Sequence, residues 1–115
     1  MQISLETNTG AYTIRSYSPG EIKINERVIH HNLIITTSQL IEPWNPEDLE
    51  SIVAQNPEIV LLGTGPRQTI PSPKTLAFFL QKKIGIEYMD TGAACRTFNV
   101  LASEGRKVVA ALILA

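Results

Sequence analysis

Residues 58–89, EIVLLGTGPRQTIPSPKTLAFFLQKKIGIEYM, decide the fold. "EIVLL" is a nearly unbroken apolar run, the pattern of a strand covered on both faces. Ser72 as N-cap and Pro73 at the first helical position open a helix. Leu76, Phe79 and Leu80 make its buried side. Lys82 and Lys83 suit its last turn, and Gly85 is the expected stop. "IEYM" is the next strand. Strand, helix and strand in this order predict a parallel pair joined by a right-handed crossover.

The pattern continues toward the C-terminus. "TGAACRTFNVLASE" reads as a further helix ended by Gly105, and "KVVAALILA" as a closing strand. Upstream, "EPWNPEDLESIVAQNP" reads as a helix with Asn45 as N-cap, Pro46 at the first position and Asp48 as the capping-box acid. Trp44 and Leu49 have hydrophobic-staple spacing, and Asn56-Pro57 stops the helix. The first third reads as β. "AYTIRSY" and "EIKIN" alternate around the turn residues "SPG", and Asn25-Glu26 suits a tight turn. "RVIHHNLIITTS" then gives one long strand or two short ones. The expected class is an α/β domain carrying an N-terminal antiparallel meander with one wet face.

Size and charge narrow the function. The 115 residues suit one domain, 1–115, with 43% hydrophobic and 18% charged residues. A formal charge of −1 argues against a protein built to neutralise phosphate backbones, and no basic-aromatic interleaving appears, so no nucleic-acid partner is expected. Residues 1–57 carry three basic and seven acidic side chains, and residues 58–115 carry seven and four. No apolar run approaches the roughly 20 residues of a membrane span. The stretch Met1–Gly10 lacks a basic start and an apolar core, so no leader is read there. The lone Cys95 forms no intrachain disulfide; a cytoplasmic setting is the expectation.

Parallel strands end on the same sheet edge, and ligands favour that edge in open α/β sheets. The tips "GTGPRQT" and "DTGAACR" should therefore meet and leave a cleft. Its expected residues are Gly63, Thr64, Gly65, Arg67, Asp90, Thr91, Gly92 and Arg96. Glycines admit close approach, and amides at a helix start favour an anion. Asp90 or Thr91 caps the helix. Arg96 either turns to the cleft or pairs locally. The turn is neither a P-loop nor a dinucleotide fingerprint, because the Gly-Lys-Ser/Thr and third-glycine positions are unfilled. A tight structural turn with a capped helix explains the same residues.

Other candidates carry less. Cys95, early in a helix beside Arg96, has no evident base, since His30 and His31 belong to the other lobe. Consecutive histidines on a strand face opposite sides, so neither a metal nor a cofactor is expected. Trp44 is read as a staple rather than a ligand platform.

"LLGTGPRQTIPSP" and "GIEYMDTGAACRTFNVLASEGRKVVAALI", with "SYSPGEIKINERVIHHNLIITT" and the Trp44 region, resemble a family of small single domains of unknown function. Its members include a mitochondrial complex I assembly factor and an adipogenesis-associated animal protein. Phe98 stands where the family usually has an aromatic. The resemblance implies a three-layer architecture with a mixed central sheet, flanking helices and an N-terminal β-layer, the last strand antiparallel to its neighbours. It implies no established enzymatic activity. Two functions follow. The first is a non-catalytic binding or assembly-type domain with a protein partner and a small bound anion, where Arg67, Thr91 and Arg96 recognise or scaffold. The alternative is a small enzyme or ligand-binding protein acting on an anionic small molecule, with Asp90 as acid or base. Self-association through the meander's edge is open.

Overall fold

The computed structural model describes residues 11–114; the leader reading of Met1–Gly10 lies outside them. Three strands come first: β1 (Ile14–Ser18), β2 (Glu21–Ile24) and β3 (Arg27–Ile29). They form an antiparallel sheet in that order, and Asn25 takes φ 52° in the tight turn between β2 and β3. Its inner face presents Ile14, Ile22, Ile24 and Ile29, all buried, while Arg15, Ser16 and Val28 are exposed. The meander thus has the wet face its alternation predicts.

"RVIHHNLIITTS" resolves into two strands in different sheets. β3 ends at Ile29, and β4 (Leu33–Ile35) starts the second sheet beside β5 (Leu40–Ile41). His30 and His31 lie in the link and not on a strand.

The second sheet adds β6 (Ile59–Thr64), β7 (Gly85–Met89) and β8 (Val108–Ile113), in the order β5-β4-β8-β6-β7. β6 and β7 are parallel, as the crossover rule requires. The last strand corrects one expectation. β8 is antiparallel to β4 but parallel to β6, and it sits in the middle of the sheet. Its five consecutive buried residues, Val108–Leu112, are the all-apolar run of a strand covered on both faces.

Period-2 alternation divides the core in two. Leu33, Ile35, Leu61, Ala110 and Leu112 face the three-stranded sheet and α3 (Thr91–Ser103), where Ala94, Cys95 and Phe98 meet them. Ile34, Val60, Leu62, Val109 and Ala111 face the opposite way. There they pack on Trp44, on Ile52 of α1 (Glu50–Val53) and on Phe79 of α2 (Pro73–Gln81). The result is the expected three-layer arrangement.

The helices match their cues unevenly. α1 is one turn, shorter than read. Asn45 makes a local turn instead of a cap, its Oδ1 accepting from Glu47 N–H and its carbonyl from Asp48 N–H. The Trp44 indole N–H donates to the Asp48 carbonyl at 2.9 Å, and Asp48 Oδ1 accepts from Ser51 N–H. α2 starts as read, with Ser72 Oγ accepting from Thr75 N–H. Its end differs. Lys83 takes the left-handed conformation at φ 58°, Ile84 N–H reaches back to Phe79 O, and Gly85 belongs to β7. Leu80 faces solvent, because α2 packs on the sheet only along the Phe79 side. Gly105, at φ 78°, does end α3.

A charged clamp ties the two sheets. Arg27 Nη1 lies 2.7 Å from Glu42 Oε2, and His31 Nε2 contacts Glu42 Oε1. Burial raises the Glu42 pKa, but the bonds from His31 and Arg27 outweigh it and hold the carboxyl below its usual range. A depressed carboxylate contributes stability above its unfolded pKa, about 4.3, and that contribution fades as pH falls through the folded value. As pH falls through the folded value the wild type should therefore lose more stability than Glu42→Gln, read by urea denaturation. Equal losses would contradict the clamp.

Candidate functional site

β6 and β7 pair Gly63 with Met89, so their carboxyl ends lie side by side. The two expected tip segments do share one rim. They are, however, joined rather than parted. Thr91 N–H donates to Gly65 O at 2.8 Å, and Gly65 N–H donates to Thr91 Oγ1 at 2.8 Å. The Thr91 hydroxyl donates to Ile113 O at 2.6 Å. The Thr64 hydroxyl lies 2.6 Å from Arg67 O and 3.1 Å from Met89 O, and accepts from Thr69 N–H. Thr91 is fully buried in this seam.

The hollow expected between the tips is thus filled by the Thr91 side chain, and the Gly65 amide is not free for an anion. Gly65 must be glycine for its φ of 100°. Gly63 must be glycine for space, since a Cβ there would stand 2.9 Å from both Thr91 Oγ1 and Leu112 Cδ2. Asp90 is the helix cap, its Oδ1 accepting from Ala93 N–H at 2.9 Å, and Thr91 is the first helical residue. Arg67 is exposed, its carbonyl engaged by Thr64.

Two hollows flank the seam on opposite faces of the sheet. One, of about 250 Å³, lies on the α1/α2 side at the carboxyl ends of β6 and β8. Trp44, Leu62, Gly63, Thr64, Ile70 and Ile113 are among its walls. Trp44 is 5% exposed and Ile70 70%. The other, of about 190 Å³, lies between β1 and α3, where Arg15 and Tyr17 face Gly92 and Arg96. Asn99 fixes that gap by accepting from Ile14 N–H at 3.2 Å and donating to Ile14 O at 2.8 Å. The eight expected residues are therefore divided. Gly63 and Thr64 line the apolar hollow, Gly92 and Arg96 the basic one, and Gly65 and Thr91 form the partition.

Trp44, Ile70 and Ile113 were absent from the expected site. An isoleucine in the polar loop between Thr69 and Pro71 is the one local cue that pointed to an exposed apolar rim. Arg15 and Tyr17 had no local cue, since only tertiary packing brings β1 to α3.

Cys95 sits where burial disfavours the thiolate that nucleophilic attack requires. Burial, the dominant cause, pushes its thiol up to about 12, against a smaller opposing pull from Arg96. Of the two histidines, His31 is engaged by Glu42 and the His30 ring lies 3.4 Å from Gly20 O.

Among the described residues no helix is long and apolar enough to cross a membrane. The "13 kDa major membrane protein" of Francisella tularensis subsp. holarctica (strain LVS) is 30% identical over 108 residues, which cover 86% of this chain and 88% of that protein. The NADH dehydrogenase (ubiquinone) 1 alpha subcomplex assembly factor 3 of Bos taurus is 32% identical over 113 residues, covering 90% of this chain and 61% of that longer relative. An NMR structure of a Xanthomonas campestris protein superposes with a TM-score of 0.83 at 38% identity, covering 99% and 92% of the two chains. The family model described as "Protein of unknown function (DUF498/DUF598)" matches residues 14–113, and the chain belongs to that family.

Proposed function

We propose that this chain is a non-catalytic binding and assembly-type domain that docks a protein partner, in a cytoplasmic setting, through the apolar hollow beside α2. The observation that carries this reading is the hollow's make-up. A buried Trp44 wall and an exposed Ile70 rim enclose about 250 Å³. Such a pocket suits one apolar side chain of an extended partner segment. The name of the bovine relative, an assembly factor, supports a protein as the occupant. The protonated Cys95 and the sealed seam at Thr91 weigh against chemistry at the strand tips. A lone thiol kept as such supports a reducing compartment. The runner-up, an anionic small molecule held by the tips, keeps only Gly92 and Arg96 beside the basic hollow, while Gly63 and Thr64 line the apolar one.

Ile70→Glu tests the docking reading, because the exposed side chain can change without disturbing the core. A partner retained by wild-type protein in pull-downs should bind the variant at least about 10-fold more weakly. Val28→Glu, another exposed apolar site on the far sheet, should bind normally. Equal retention by all three proteins, or a hollow filled by a second copy in sedimentation experiments, would refute it.

A further inference from the structure

The hollow between β1 and α3 gathers positive charge from separate parts of the chain. Arg15 comes from β1 and Arg96 from the second turn of α3. Among the described residues neither guanidinium has an ion-pair partner; the carboxylates that do pair bind Arg27, His31 and Arg106. Arg96 folds back over the start of its own helix, its Nη1 3.6 Å from the place a Gly92 Cβ would occupy. The Tyr17 ring closes the same spot at 3.5 Å. Any side chain at Gly92 would fill the space between them.

Donors remain in this space. Thr91 N–H is taken by Gly65 O, Ala93 N–H by Asp90 Oδ1 and Ala94 N–H by Asp90 O. Gly92 N–H has no acceptor among the described residues. The Ser16 hydroxyl, on the same wall, has none either. The Tyr17 hydroxyl is buried against Thr91 and is not one of these donors. Among the described residues here the opposing charge is Asp90, its Oδ1 3.3 Å from the same Gly92 position, but that oxygen is committed to capping. Two guanidiniums exceed one carboxylate. The roughly 190 Å³ available would hold several waters at about 30 Å³ each. That is ample for a tetrahedral ion, and planar guanidinium forks match its oxygens in bidentate fashion.

We propose that this hollow binds a small oxyanion of the phosphate or sulfate class, held between Arg15 and Arg96 with the Gly92 amide as a third donor. The site is separate from the apolar docking hollow, lies across the sheet from it, and stands or falls independently of it.

The test is a titration of the ¹⁵N-labelled protein with inorganic phosphate, set against chloride at equal ionic strength. Saturable shifts of the Gly92 amide and the Arg96 side-chain N–H are expected with phosphate and not with chloride. Arg15→Gln and Arg96→Gln should each weaken binding at least about 10-fold by removing one charged fork. The double variant should show no saturation, and Arg67→Gln should titrate as wild type. All three arginines are exposed, so well-dispersed spectra are expected throughout. Linear shifts indistinguishable from those with chloride would overturn the proposal in the wild type alone. Saturation that survives in the double variant would overturn it as well.

Discussion

Thr91→Val is expected to destabilise the protein by about 3 kcal/mol, although valine has nearly the shape of threonine and leaves no cavity. The loss comes from what the hydroxyl connects. It accepts from Gly65 N–H and donates to Ile113 O, and so joins the tips of β6 and β8 to the start of α3. Gly65 is buried, so its N–H would find no water in place of the hydroxyl. A stranded buried donor costs roughly 1–3 kcal/mol, and the part-buried Ile113 acceptor loses its partner as well. In a domain of this size the midpoint should fall by roughly 12 °C. Thr91→Ser keeps both bonds and sheds one methyl, so it should lose only about 1 kcal/mol. Denaturant unfolding of the three proteins checks the order. A valine variant within about 0.5 kcal/mol of wild type would mean the seam is not what closes this edge.

The same seam explains where the sequence was readable and where it was not. Most cues confined to one turn held, though the Gly85 stop did not. Ser72-Pro73 opens α2, Asp90 caps α3, Gly105 ends it, and Asn25 turns the hairpin between β2 and β3. Each is settled by backbone groups within a few residues, so no distant contact can override it. Cues that compete with tertiary bonds failed. The Asn45 cap lost to a local turn held by the buried Trp44 indole, and Leu80 sits on the helical stripe of Phe79 without being covered. The parallel pairing of β6 and β7 followed from chain order, yet the place of β8 did not. Its uninterrupted apolar run says only that both faces are covered, and not which strand lies on either side.

For the site, topology brought the right segments to one rim and then filled the gap. Glycine-rich tips can mean room for a ligand or room for the protein's own atoms, and the residues are the same in both cases. Here Gly63 makes room for Thr91 and Leu112, while space for other molecules opens on either side of the partition. Part of the walls of those flanking hollows comes from Arg15, Tyr17 and Trp44, which lie in the first half of the chain. No spacing rule within the second half could have named them.

Gly63→Ala should accordingly cost about 3 kcal/mol, at the upper end of what one added methyl does in a packed core. The backbone is not the obstacle, for Gly63 lies within a regular strand and, unlike Gly65, has no left-handed φ. The obstacle is contact. The new Cβ would stand 2.9 Å from Leu112 Cδ2, 2.9 Å from Thr91 Oγ1 and 3.1 Å from Thr91 Cα. Leu112 is wholly buried and has little room to swing away. Thr91 Oγ1 cannot retreat without breaking the bonds to Gly65 and Ile113. Relief must therefore come from the hydroxyl's removal, which gives the clash a distinctive signature. In a Thr91→Ala background the seam bonds are already lost, and Gly63→Ala should then cost less than about half as much. The two substitutions should be coupled by more than about 1 kcal/mol in a double-mutant cycle measured by denaturant unfolding. Additivity within about 0.5 kcal/mol would place the strain of Gly63→Ala on Leu112 alone and would separate the glycine from the seam.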